Sequence, residues 1–360
     1  MLAKKIKKSK ILLTGGGTMG SVTPLLAIVD ALRAAGREID YLWLGTKHGS
    51  EHYAVDKANI EFKGIDSGKL RRYWSWKNFT DIWRFKKGFW QSLWIMLRWR
   101  PRVIITAGSF VSVPVVIAGW MLRIPIIVHQ LDYKPGLANK IMAKFAIKIT
   151  VTLVKSLKDY GNKAVWIGSL LRQTILNEQD YKEARQFFGL DKDLPVVLVL
   201  GGSTGAIAIN ELIEGGLEEL IRFCQIIHLT GYDKANIGQI DNYNSFKFLH
   251  DEDMATAYAA ADLVICRAGM GTLTELSYLG KPAILIPMPN SHQELNAKAI
   301  QGKNAAIVLD EHKLTSHELV DIIQEVAYSK KLLKQMSDNI QKAFKLGNNE
   351  MVDIINMFIK

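Results

Sequence analysis

The chain has 360 residues, enough for two cores rather than one, and its 48% hydrophobic share is that of a globular protein. Its two cysteines, Cys224 and Cys266, form no spaced metal motif or disulfide framework, so a reducing cytoplasm is expected. The net charge of +11 is concentrated rather than spread, the basic first ten residues lack an apolar signal core, and no run of about 20 uncharged apolar residues is present to span a membrane.

The first strand opens Ile11-Leu-Leu-Thr-Gly15-Gly-Gly-Thr-Met-Gly20-Ser, a tight glycine turn that leads into a helix. Glycines let backbone approach a ligand, and a helix N-terminus offers N–H groups and partial positive charge to a phosphate. Thr23-Pro24 reads as N-cap and first helical position and Gly36 as the stop, predicting a helix over 24–35. Strands are predicted at 39–44, 103–106 and 125–128, with helices at 112–122 and 135–146. Residues 151–166 read as strand, helix and a last strand before Gly168. This alternation implies a parallel sheet covered on both faces.

A second glycine turn, Val196-Val-Leu-Val-Leu-Gly201-Gly-Ser-Thr-Gly-Ala206, restarts the scheme. Strands follow at 225–229, 246–248, 263–265 and 283–286, and helices at 205–222, 252–260, 271–279 and 292–301. A last helix at 349–360 carries Met351, Ile354, Ile355 and Phe358 at helical spacing. Two glycine turns half a chain apart predict two Rossmann-like α/β domains facing across a cleft, with the boundary near 164–172.

Residues 69–102 hold ten of the basic residues, one acid (Asp81) and six of the nine tryptophans. Trp83, Trp90 and Trp94 recur at helical spacing, with Phe85 and Phe89 expected near the same face. Tryptophan favours the lipid–water interface, and basic residues near an anionic leaflet add about 1 kcal/mol each. The window is therefore expected to lie on an anionic membrane surface. No nucleic-acid motif accompanies it, so no nucleic-acid partner is expected.

In open α/β sheets ligands sit beyond the carboxyl ends of the strands. Candidate turns fall there: Gly15–Ser21, Ala107–Val111, His129–Asp132, Gly201–Ala206, Cys266–Glu275 and Pro287–Asn296. Glu275, in the first turn of its helix, can accept hydrogen bonds from a ribose diol, or is a plain helix-terminal acid. His292 and Gln293 can hydrogen-bond sugar hydroxyls, or cap the next helix. Asp191-Lys-Asp193 and Asp251-Glu-Asp253 have the spacing of a Mg²⁺-binding pair. The first falls in a surface loop and the second starts a helix, so no metal site and no cofactor are expected.

Gly-Gly-Thr-x-Gly-x-x-x-Pro (16–24), Gly-Ser-x-Val-Ser-x-Pro (108–114) and His-x-x-Asp…Gly-Leu-x-Asn-Lys (129–140) resemble the N-terminal half of the MurG family. Gly-Gly-Ser-x-Gly-Ala (201–206), Cys-Arg-x-Gly…Thr-x-x-Glu (266–275) and His-Gln-x-x-Asn-Ala (292–297) resemble its C-terminal half. The family transfers N-acetylglucosamine from UDP-GlcNAc to lipid I in peptidoglycan synthesis. The resemblance implies a GT-B fold: 1–165 for the acceptor and membrane, 166–345 for the UDP-sugar, and 346–360 returning to the first domain. It further implies donor binding by Arg172, Ser203, Thr204, Gly205, Leu249, Met270, Gly271, Thr272, Glu275, His292, Gln293 and Asn296, with helix dipoles stabilising the leaving UDP. Acceptor binding falls to Gly17, Thr18, Met19, Gly20, Phe110, Gln130 and Asn139.

The acceptor half departs from the family pattern. Ser21 stands where the family has His, Met19 where it has Gly, Phe110 where it has Tyr, and Gln130 where it has Glu. Two titratable groups are thereby lost. Asp132 and His129 remain as candidate bases, with Thr18 and Ser21 beside the reacting hydroxyl. The expectation is an inverting transferase at the cytoplasmic face of the bacterial membrane, using UDP-GlcNAc and an undecaprenyl-linked acceptor. The alternatives are another lipid acceptor such as diacylglycerol, or a weakly active UDP-sugar-binding membrane scaffold.

Overall fold

The computed structural model describes residues 8–49, 51–68, 77–191, 193–201, 206–231 and 239–359. The chain divides into two compact units, Met1–Arg172 with Lys345–Lys360, and Gln173–Phe344.

Unit 1 runs β1 (Ser9–Thr14), α1 (Thr23–Ala34), β2 (Ile39–Thr46), α2 (Glu51–Lys57), β3 (Glu61–Ile65), α3 (Lys77–Trp99) and β4 (Val103–Thr106). It continues α4 (Ser112–Met121), β5 (Ile126–Gln130), α5 (Leu137–Ala143), β6 (Lys148–Val151), α6 (Leu157–Tyr160) and β7 (Ala164–Trp166). All seven strands are parallel, in the order β3-β2-β1-β4-β5-β6-β7. Strands β4 and β5 are buried throughout, and β1 from Ile11 to Thr14, because both faces of the sheet are covered. Leu12, Ile104 and Val128 face α3, α4 and α5, while Ile11, Leu13 and Ile105 face α1.

Unit 2 runs α7 (Gln173–Leu176), α8 (Tyr181–Phe187), β8 (Val196–Leu200), α9 (Ile207–Gly215), α10 (Leu217–Leu220), β9 (Gln225–Leu229), β10 (Gln239–Ile240) and β11 (Tyr243–Phe246). Then come α11 (Asp251–Ala260), β12 (Leu263–Cys266), α12 (Met270–Leu279), β13 (Ala283–Leu285), α13 (Gln293–Gln301), β14 (Ile307–Val308), α14 (Ser316–Tyr328) and α15 (Lys330–Gln341). Its sheet has the order β10-β11-β9-β8-β12-β13-β14, parallel except for the short β10–β11 pair. The helix expected over 205–222 breaks at Gly215–Gly216. A Cβ on either glycine would sit 2.5 Å from Ser316 or Val320, so α14 packs where only glycine fits.

The chain then re-enters unit 1. Leu346 bridges Ser169, Asn348 exchanges hydrogen bonds with the backbone of Leu171, and α16 (Asn348–Ile359) buries Met351 and Ile355 against α1. These contacts carry the edge of unit 1 to Arg172.

In each sheet, setting aside the short edge strand β10, the strand order reverses once, between β1 and β4 and between β8 and β12. Such switch points open a crevice at the carboxyl ends of the strands, where α/β proteins bind ligands.

Candidate active site

At the unit 1 switch point, the turn after β1 is stitched shut by side chains. Ser21 Oγ accepts the Gly16 N–H at 3.2 Å and Glu51 Oε2 accepts the Gly17 N–H at 3.1 Å. The loop after β4 docks on the same turn. Ser109, at φ +89, donates to the Gly16 carbonyl at 2.6 Å, and Ser112 donates to the Thr14 carbonyl at 3.0 Å. The Phe110 ring lies against Gly17, where a Cβ would meet it at 2.9 Å. Gly17, Thr18 and Gly20 remain exposed, Met19 turns its side chain toward the core cluster of α1, and Ser21 is buried. The turn therefore presents the crest from Gly17 to Gly20. Its Gly16 and Gly17 amides, which the sequence offered to a phosphate, are already occupied.

Strand β5 ends in the His129–Asp132 segment. His129 is fully buried, its Nδ1 3.0 Å from Thr150 Oγ1 and its Nε2 3.2 Å from Thr152 Oγ1. Burial drives its pKa down to about 3. A neutral imidazole with both nitrogens engaged has no lone pair for an acceptor hydroxyl, which corrects the expectation of His129 as a base.

Gln130 is buried too, and both ends of its amide are engaged. Asn139 Nδ2 donates to Oε1 at 2.7 Å, Tyr160 Oη donates to Oε1 at 2.8 Å, and Nε2 donates to the Asp132 carbonyl at 2.8 Å. A carboxylate here would set an oxygen against that carbonyl, so Gln suits this network better than Glu. Gln130 and Asn139 thus brace the loop that carries Asp132, itself half-buried at the strand end.

At the unit 2 switch point, α12 starts directly after β12. Among the described residues no atom lies within 4 Å of a Cβ position on Gly269 or Gly271, and neither adopts positive φ. Neither packing against the described residues nor backbone strain demands glycine there. Met270 is buried, Gly271 and Thr272 are half-buried, and a ten-residue helix stands behind their amides.

Glu275 sits one turn on and is 7% exposed, with Tyr258 Oη donating to its Oε2 at 2.9 Å. Asn296 is fully buried, and its Nδ2 donates to the Ala268 carbonyl at 3.2 Å. It therefore anchors the turn before α12, which corrects the expectation that its side chain reaches a sugar. His292 is exposed, and Gln293 Oε1 accepts the Met288 N–H at 3.0 Å. Leu249 is buried. Ser203, Thr204 and Gly205 lie outside the described residues, and Arg172 ends the first segment of unit 1. Among the described residues no group of three or more His, Cys, Asp or Glu could hold a metal.

Helix α3 divides the aromatic window by face. Phe85, Phe89, Leu93 and Met96 pack into the core beside α4, whereas Trp83, Trp90 and Trp94 are 70%, 64% and 61% exposed. The two phenylalanines are thus on the opposite side from the expected face. Lys86 sits over Trp83 and Arg98 over Trp94, at 5.1 and 4.7 Å from the ring centroids. Leu97 and, on the neighbouring α4, Trp120 and Met121 are also exposed. Lys69, Arg71, Arg72, Trp74 and Trp76 lie outside the described residues. No described helix is long and apolar enough to cross a membrane.

Sequence reasoning missed two residues. Glu51 reads locally as a helix-terminal acid, and Trp120 as one aromatic in an apolar helix; only the fold brings each beside its partners.

Residues 11–151 match the glycosyltransferase family 28 N-terminal domain and residues 196–351 the family 28 C-terminal domain. The chain is 38% identical over 361 residues to the UDP-N-acetylglucosamine–N-acetylmuramyl-(pentapeptide) pyrophosphoryl-undecaprenol N-acetylglucosamine transferase of Clostridium perfringens, covering 97% of this chain and 98% of that one. It is 38% identical over 334 residues to the Bacillus anthracis transferase 2 of that name, covering 90% and 93%. Acinetobacter baumannii MurG has the same fold, with a TM-score of 0.72 at 23% identity over 97% of this chain and 99% of that one. With near-complete coverage at this identity, two family 28 domains in order and the fold in common, the chain belongs to the MurG family of glycosyltransferases.

Proposed function

We propose that the protein transfers N-acetylglucosamine from UDP-GlcNAc to undecaprenyl-diphosphate-linked N-acetylmuramyl peptide, with inversion at the anomeric carbon. The observation that carries this reading is full-length likeness to transferases of that name, joined to an open, glycine-flanked helix start at the unit 2 switch point. The α12 amides would take the diphosphate and Glu275 the ribose, its rotamer fixed by Tyr258. His292 and Gln293 would meet the sugar. In the transfer the acceptor C4 oxygen bonds to the anomeric carbon as the bond to the phosphate oxygen breaks. The hydroxyl proton passes to the Asp132 carboxylate, and UDP leaves with the electron pair, its charge stabilised at the helix start.

The acceptor would enter at Gly17–Gly20, with Gln130 and Asn139 holding the base loop. The exposed tryptophans of α3, with Lys86 and Arg98 beside them, would lie on the anionic cytoplasmic face of the membrane as a peripheral contact. Replacing Trp83, Trp90 and Trp94 together by Ser is expected to move the protein from anionic liposomes to the supernatant. High salt alone should release only part of it, because tryptophan insertion is not screened. Equal liposome binding by the variant would refute the contact.

The direct test is radiolabelled UDP-GlcNAc incubated with the muramyl-peptide lipid or with diacylglycerol. Label on the former alone is expected. Label on diacylglycerol alone, or on neither while UDP-GlcNAc still binds, would overturn the reading.

A further inference from the structure

We infer that Glu51, a residue outside both glycine turns, is a positioning residue for the acceptor-side turn. This rests on the reading that Gly17–Gly20 meets the acceptor. Glu51 opens α2 and is fully buried, yet among the described residues no lysine or arginine forms a salt bridge with it. Its charge is held by three donors instead. The Thr46 N–H reaches Oε1 at 2.7 Å, the Thr46 hydroxyl reaches Oε1 at 2.5 Å, and the Gly17 N–H reaches Oε2 at 3.1 Å. One oxygen is thus fastened to the end of β2 and the other to the turn after β1, 34 residues away in sequence.

The surroundings are cut to fit this carboxylate. A Cβ on Gly16 would lie 2.2 Å from Oε1 and one on Gly49 1.9 Å from Oε2. Gly16 of the turn thus leaves room for the carboxylate beneath it. A buried carboxylate is costly unless its oxygens are hydrogen-bonded. The Gly17 amide, inverted to φ +79, satisfies one oxygen and fixes the crest of the turn in the same contact. Plain packing would be served as well by an apolar side chain, without a buried carboxyl group or two glycines that leave room for it. A device that couples β2 to the crest accounts for both.

The two variants differ in what they disturb. Glu51→Gln keeps the shape and can keep its carbonyl on Thr46, but then sets an N–H₂ against the Gly17 N–H. Thr46→Val removes one donor from the far oxygen and leaves the Gly17 contact in place. Both are assayed in the full-length protein with UDP-GlcNAc and a short-chain lipid-linked muramyl pentapeptide. Glu51→Gln should lower kcat/KM for the acceptor tenfold or more, with the KM for UDP-GlcNAc and the calorimetric UDP affinity unchanged. Thr46→Val should show the same split at two- to fivefold. The Gly17 amide, protected from hydrogen exchange in the parent, should exchange faster in Glu51→Gln.

Equal losses toward donor and acceptor, or full activity with a freely exchanging Gly17 amide, would overturn the inference. If Glu51→Gln fails to fold, Thr46→Val decides by the same split. If the parent itself transfers nothing to this acceptor, the functional reading falls and the inference with it. An active parent whose variants lack the split overturns the inference alone.

Discussion

The two switch points use the same local sequence device for opposite ends. In unit 1 the glycine turn after β1 is closed on itself, its Gly16 and Gly17 amides taken by Ser21 and Glu51. In unit 2 a Cβ on Gly269 or Gly271 at the start of α12 would meet no atom of the described residues. A glycine whose Cβ would strike a neighbour is required by packing, whereas one with open space there is not. The difference separates a turn held in shape by its neighbours from a helix start that packing leaves uncovered, as the proposed diphosphate contact at α12 requires.

The strongest way to break this division of labour is at Asp132. Asp132→Asn should lower turnover about a hundredfold or more while UDP affinity stays put, since unit 2 is untouched. A loss of less than a few-fold would move the base elsewhere in unit 1, and His129 is not the next candidate because both its nitrogens are engaged.

Glu275→Gln probes the other unit. The amide can still accept from Tyr258 but no longer carries charge, so UDP binding should weaken by about 1–3 kcal/mol with the fold intact. Unchanged calorimetric affinity would remove Glu275 from the donor site.

The glycines themselves give a paired test of opposite sign. Gly17→Ala forces a left-handed φ and a 2.9 Å contact with Phe110, and should cost about 1–3 kcal/mol of stability in unit 1. Gly271→Ala meets nothing and adds a better helix former, so stability should rise by about 0.5–1 kcal/mol while UDP affinity falls. Two variants that both destabilise, or a Gly271→Ala that binds UDP as the parent does, would erase the distinction.

The pH dependence is where the units are alike. Each buries one neutral histidine: His129 between two threonines, and His228 between Tyr243 and Asn210, with pKa values lowered by burial to about 3 and about 4. Both would titrate near 6.5 when unfolded. The folded state then binds fewer protons, so stability is full above about pH 6.5 and declines as pH falls toward 4 and 3. Thermal melts across that window should show the slope, and His129→Gln should flatten the part that belongs to unit 1. A parent melting curve that is flat from pH 7 to 4 would refute the assignment.

Much of this was readable from sequence where periodicity and punctuation agree. Thr23-Pro24 and Gly36 bracket α1, and the apolar runs at Val196–Leu200 and Gln225–Leu229 are strands at those bounds. What stayed hidden depends on long-range geometry. Helix α2 and edge strand β3 carry no clear apolar period, and β3 buries only Ile65. Helix α14 is marked in the sequence by the Thr315–Glu318 capping box. The strand expected at 246–248 lies at Tyr243–Phe246, because Tyr243 is the residue in register with Ile226 of β9. In the site, Gln130 read as a lost acid, since its partners Asn139 and Tyr160 come from two other elements. Glu51 was invisible for the same reason.

The return of α16 to unit 1 has a consequence for biosynthesis. Unit 2 is one continuous stretch and can collapse as soon as it clears the ribosome. Unit 1 is emitted first yet must wait, with the α1 side of its sheet bare of Met351 and Ile355, until all of unit 2 has been made. The half proposed to rest on the membrane therefore completes its core last, and a nascent chain stalled in the final turns of translation would carry a finished unit 2 and an unfinished unit 1.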